Sequence, residues 1–107
     1  MKFNLIINPS HQWQQSLVHA LELMQVINKQ GHHVVSVFFY GDAVHIAQDL
    51  LLQQAWSKAA NSTELLLCRT MIEEYGIEPQ LASGFKVVGM GQLALNMEQA
   101  DRTLELN

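Results

Sequence analysis

One cysteine in 107 residues rules out an internal disulfide, so Cys68 acts as a free thiol or through another molecule. Charge is also scarce, at 15% of the chain. Six Lys and Arg stand against ten Asp and Glu, scattered and without a basic block, for a formal net charge of -4. A groove that tracks phosphates needs clustered cations, so direct nucleic-acid binding is not expected. No apolar run approaches membrane-spanning length, and Met1-Lys2-Phe3-Asn4 leads straight into a strand pattern rather than a signal peptide. The expected setting is the cytoplasm, where a thiol stays reduced. No internal repeat, low-complexity tract or linker interrupts residues 1–107, which read as one domain.

What the chain has instead is apolar surface. Hydrophobic residues make up 49% of it against 15% charged, a low charge content for a soluble monomer that leaves apolar surface to cover, so an oligomer is expected, built from copies of itself or from sister subunits.

Strand and helix patterns alternate. Phe3 to Ile7 is apolar and bounded by Asn8-Pro9-Ser10, with Ser10 as a candidate N-cap. Trp13, Leu17, Ala20, Leu21, Met24 and Ile27 then share a helical face that ends near Gly31. Val34 to Tyr40 is a continuous β-branched and aromatic run, suited to a strand covered on both faces. Asp42 is placed to cap a helix with Ala43, Ile46, Ala47, Leu50 and Leu51 as its core stripe, continuing or restarting through Ala55-Trp56. Glu64 to Leu67 forms a third strand, and Met71, Ile72 and Tyr75 mark a helix ending at Gly76. Gly84 to Val88 reads as a fourth strand or an entry loop, Gly91 to Ala100 as a helix, and Thr103 to Leu106 as a last strand. The pattern predicts an α/β fold: a small, flavodoxin-like three-layer domain with a mostly parallel sheet of four or five strands.

Cys68 falls where the third strand turns into a helix. Unpaired N–H groups and the positive end of the helix dipole favour a thiolate there, and Arg69 adds a neighbouring cation. The competing reading is that Cys68 is simply the last core residue of its strand, since free cysteine is among the most buried residue types. In a flavodoxin-like order the first and third strands flank the point where strand order reverses. That order would bring the loop Asn8 to Gln12 beside Cys68, with His11 as a candidate modulator.

Other constellations are weaker. His32 and His33 are adjacent and point to opposite faces of a strand, and His45 and Asp49 make one i, i+4 pair, so no metal site is expected. Asn8 to Trp13 lacks the glycines of a phosphate loop, and Gly89-Met90-Gly91 stands alone, which argues against a nucleotide or flavin cofactor. A Cys-His hydrolase would need an oriented third group that no spacing specifies.

Three segments together resemble the DsrE family: Ser36 to Tyr40 followed by Gly41-Asp42-Ala43-Val44, Ala55-Trp56 leading to Leu67-Cys68, and Gly84-Phe85 with Gly89 to Ala94 and Asp101-Arg102. The resemblance runs through nearly the whole chain in order. It implies that Cys68 matches the family's persulfide-accepting cysteine and is the catalytic residue, while Arg69 and His11 stay candidate modulators from their positions in the sequence alone. It implies no cofactor and no metal. The partners it implies are a sulfur donor protein and an acceptor protein, in a relay toward tRNA thiolation or in sulfur oxidation. The family also contains subunits that build the complex without sulfur chemistry, which is the alternative role. Only Gly76 to Ser83 separate the cysteine helix from Gly84-Phe85, a shorter connection than members of the family often have.

Overall fold

The computed structural model covers residues 1–107. Its strands are β1 (Lys2–Ile7), β2 (His33–Phe39), β3 (Glu64–Cys68), β4 (Phe85–Val88) and β5 (Arg102–Leu106). Its α-helices are α1 (Trp13–Lys29), α2 (Leu50–Ala59), α3 (Arg69–Glu74) and α4 (Met90–Gln99), and a 3-10 helix spans Gly41–Gln48. All five strands are parallel, in the order β4-β3-β2-β1-β5. The α/β, mostly parallel sheet read from the alternating pattern is therefore present, with five strands.

The strand order differs from the one that would place β1 beside β3. The chain steps from β1 to β4 in one direction and then returns to lay β5 on the free edge of β1. The reversal lies between β1 and β5, and β2 stands between β1 and β3.

Side-chain alternation divides the sheet into two faces. Leu5, Val37 and Leu65 share one face by register, as do Ile7, Phe39 and Leu67. Trp56 of α2 meets Phe39 edge-on with ring centroids 5.2 Å apart, so α2 covers this face. Leu17, Ala20, Met24 and Ile27 of α1 are buried, as the helical spacing predicts. The other face carries Ile6, Phe38 and Leu66, and α4 packs against it over β1 and β2.

Some local expectations fail for physical reasons. Ser10 is exposed and does not cap α1; Gln12, in the left-handed region at φ 41, precedes the helix with no side-chain cap. Asp42 lies in the first turn of a 3-10 helix that starts at Gly41 and does not cap an α-helix, and the chain breaks at Asp49. Asp49 is the true cap, its carboxylate accepting the Leu52 N–H at 3.1 Å. The break rotates Leu50 and Leu51 out of the core stripe, leaving Leu51 80% exposed.

Two buried polar groups hold the layers. Gln53 donates to the Ile46 and Gln80 carbonyls at 2.8 and 2.9 Å and accepts the Ala82 N–H at 2.7 Å, which pins the chain between α3 and β4 against α2. Under α4, Ser36 Oγ donates to Asn4 Oδ1 at 2.6 Å.

Candidate functional site

Cys68 ends β3 and is the residue before α3, with extended backbone at φ -71 and ψ 118. It thus stands at the carboxyl edge of the sheet, where reactive groups collect in open α/β folds. The thiol is buried, with 0% exposure. Leu65, Leu66 and Leu67 are buried as well, so β3 is covered on both faces up to and including its cysteine. Burial was the mark of the core-residue reading, and it means that a sulfur compound reaches Cys68 only when its surroundings open.

Arg69 is exposed, and its Nη2 donates to the Val87 carbonyl at 3.3 Å. The guanidinium is thereby directed along the edge of β4, next in sequence to the thiol. His11 is exposed in the loop after β1, its carbonyl accepting from Ser16 Oγ at 3.4 Å. With β2 between β1 and β3, two strand spacings, roughly 10 Å, separate the strand that leads to His11 from the strand that ends at Cys68. The strand order therefore does not make the two loops neighbours.

A cluster that spacing did not single out lies at this edge. His45 of the 3-10 helix is stacked between Trp13 and Tyr75, with ring centroids 5.7 and 5.0 Å away. Its Nδ1 is 2.9 Å from the Asp42 carbonyl. Tyr75, just past α3, donates its phenol proton to Asp42 Oδ1 at 2.8 Å. That bond, with the nearby negative charge, raises the Tyr75 pKa above its ordinary value. The cluster ties α1, the 3-10 helix and the end of α3 together. Its only sequence signal was the spread of Trp13, His45 and Tyr75 over three separate helical segments, which periodicity does not connect.

Gly41 is needed where β2 leaves the sheet. Its φ is +58, and a Cβ there would lie 2.6 Å from Asn8 Oδ1, so the turn and the β1 loop close on each other only with glycine.

A model of the DsrE/DsrF-like family matches residues 1–106. Among curated proteins, the chain is 32% identical to a sulfurtransferase TusD homolog of Vibrio parahaemolyticus, with 98% of this chain and 97% of that protein covered. It is 28% identical to the TusD homolog of Vibrio vulnificus, at the same coverage. Both alignments run over 127 positions against the 107 residues present here, so the relatives carry sequence that this chain lacks. Among solved structures, the ychN protein from E. coli superposes with a TM-score of 0.75 at 22% identity, covering 99% of this chain and 100% of that one.

Proposed function

Because the chain belongs to the DsrE/DsrF-like family, we propose that it is a sulfur carrier that takes up sulfur as a persulfide on Cys68 and passes it to a partner protein. The observation that carries this reading is the placement of the sole thiol at the carboxyl end of β3, in a chain whose curated relatives bear the name sulfurtransferase.

The transfer is thiolate exchange. Cys68 Sγ attacks the outer sulfur of a donor persulfide, R-S-SH. A bond forms between the two sulfurs, the donor's S–S bond breaks, and its electron pair leaves on the inner sulfur as R-S⁻. The proton stays on the transferred sulfur, giving Cys68-S-SH. The total oxidation level is unchanged, so no external oxidant or reductant enters. An acceptor cysteine then repeats the attack on Cys68-S-SH. Arg69, adjacent in sequence to Cys68 and exposed, adds positive charge on the β4 side of the thiol, where its Nη2 reaches the Val87 carbonyl.

The donor and acceptor are proteins in this reading, and the surface offers them apolar contact. Leu50 and Leu51 are exposed at the start of α2, and Met90, Leu95 and Met97 along α4. Such side chains suit burial against another subunit. The relay served is one that ends in tRNA thiolation or in sulfur oxidation.

The burial of Cys68 favours a second reading, a subunit that builds an oligomer with the thiol as core. Loading separates the two. The protein is incubated with a cysteine desulfurase and cysteine, and its intact mass is compared with that of Cys68→Ser. A reductant-reversible gain of sulfur on the wild type alone supports the carrier; no gain, even with candidate relay partners added, supports the structural subunit.

A further inference from the structure

A hollow of about 130 Å³ opens at the carboxyl edge of the sheet where strand order reverses, lined by Ile6, Asn8, Tyr40, Met90, Leu93 and Glu105. It lies on the face that carries α4: Ile6 pairs with Glu105 across β1 and β5 and with Phe38 across β1 and β2. The crevice at such a reversal is where open α/β sheets bind their ligands.

Tyr40 connects this hollow to the thiol. Its N–H donates to the Ile7 carbonyl at 2.9 Å, so β2 is still in register with β1 one residue past its end. Phe39 pairs with Leu67, the last pair between β2 and β3, and Tyr40 and Cys68 are the next residues along the two chains, about one strand spacing, ~5 Å, apart if that register is extended by one step. Alternation puts Cys68 on the same face as Leu66 and Phe38, the face of the hollow. On its other side Cys68 pairs with Val88 of β4, which lines none of the three cavities. Free volume therefore adjoins the neighbours of Cys68 on the Tyr40 side.

We propose that this hollow is the entry for the donor's persulfide tip and that Tyr40 is the gate between it and Cys68, a positioning residue whose side-chain rotation uncovers the thiol. The identity of the visitor rests on the sulfur-carrier reading; the route does not. Tyr40 is half-buried and lines the hollow, so free volume adjoins its side chain. Volume limits what passes. A hollow of this size admits a few non-hydrogen atoms, which suits a Cys-S-SH tip and excludes a bulky group.

The test reads thiol access in the folded protein with methyl methanethiosulfonate, a small neutral reagent, and with a dye-bearing maleimide, with Cys68→Ser as the blank. Tyr40→Ala is expected to react with the small reagent about ten-fold faster than wild type, because a buried group reacts through its local opening. Val88→Ala, a smaller truncation on the opposite flank, is expected to leave that rate within about two-fold, and the maleimide is expected to gain less than the small reagent in Tyr40→Ala. An unchanged rate in Tyr40→Ala, or a larger acceleration in Val88→Ala, overturns the gate. Should Tyr40→Ala fail to fold, Tyr40→Leu serves, with an intermediate acceleration expected and a wild-type rate overturning the gate. Sulfur loading in wild type with no effect of Tyr40 would sink the gate and leave the carrier standing. Fast labelling of Tyr40→Ala without sulfur loading in any variant would do the reverse.

Discussion

The phenol of Tyr75 and the carboxylate of Asp42 meet at 2.8 Å across 33 residues of chain, joining the segment that follows α3 to the 3-10 helix that follows β2. Cys68 immediately precedes α3, so the bond and the His45 stack beside it restrain the short element next to the thiol.

Tyr75→Phe keeps the ring stack and deletes the bond. The pair faces solvent, so the expected loss of stability is below about 1 kcal/mol near neutral pH. The Tyr75 pKa is raised in the folded state, first by its hydrogen bond to Asp42. A raised pKa contributes stability that is complete below the unfolded value, about 10, and is lost as pH rises through the folded value. The gap between wild type and Tyr75→Phe in urea midpoint should therefore hold at pH 8 and close in strong alkali. A gap that widens with alkali would contradict the bond.

The Ser36-Asn4 contact makes a sharper prediction, because both side chains are buried under α4. Ser36→Ala removes the donor to Asn4 Oδ1 and leaves an unpaired acceptor in the core, with an expected cost of about 1–3 kcal/mol in urea denaturation. Adding Asn4→Leu to Ser36→Ala removes the stranded amide and should recover part of that loss. No recovery would mean that the amide is satisfied by another route.

Gln53 uses all its hydrogen-bonding directions but one, to Ile46, Gln80 and Ala82. Gln53→Ala should cost about 3 kcal/mol and release the segment after α3, read as faster amide exchange at Gln80 and Ala82 than in the rest of the chain. Uniform acceleration across all strands would show that the change destabilises the whole fold instead.

Gly41→Ala forces a side chain into the left-handed region and against Asn8 Oδ1. The backbone conformation alone costs about 1 kcal/mol, and moving Asn8 adds to it. Asn8 also lines the hollow beside Tyr40, so Gly41→Ala should alter the rate of Cys68 labelling as well as the melting temperature. A change in melting temperature with no change in labelling would separate the turn from the hollow.

The elements were legible wherever one kind of burial governed a stretch. Ser36 to Phe39 and Leu65 to Leu67 are covered on both faces, and a continuous apolar run is the mark of that. The helix from Trp13 was legible from one apolar stripe. Strand order was not, because hydrophobic period reports which side of an element is buried and nothing about which strand pairs with it. His11 was judged a neighbour of Cys68 on an order in which β1 adjoins β3, whereas the chain inserts β2 between them. The region from Gly41 to Ala59 was misread for a related reason. Ala43, Ile46, Ala47, Leu50 and Leu51 fit one helical stripe on paper, yet Asp49 caps a new helix and resets the phase, exposing the two leucines. Cys68 was found from its place at a strand end. Tyr40, the residue after the last β2–β3 pair, was read only as the end of an apolar strand, since its role depends on register between β2 and β3.

The most direct test of the account is the intact mass of the protein after incubation with a cysteine desulfurase and cysteine, run beside Cys68→Ser and a reductant-treated sample. The account predicts the gain of a sulfur atom on the wild type, absent in Cys68→Ser and removed by reductant. No gain in the wild type, with the thiol of the folded protein shown to react with methyl methanethiosulfonate and candidate relay partners supplied, would contradict it.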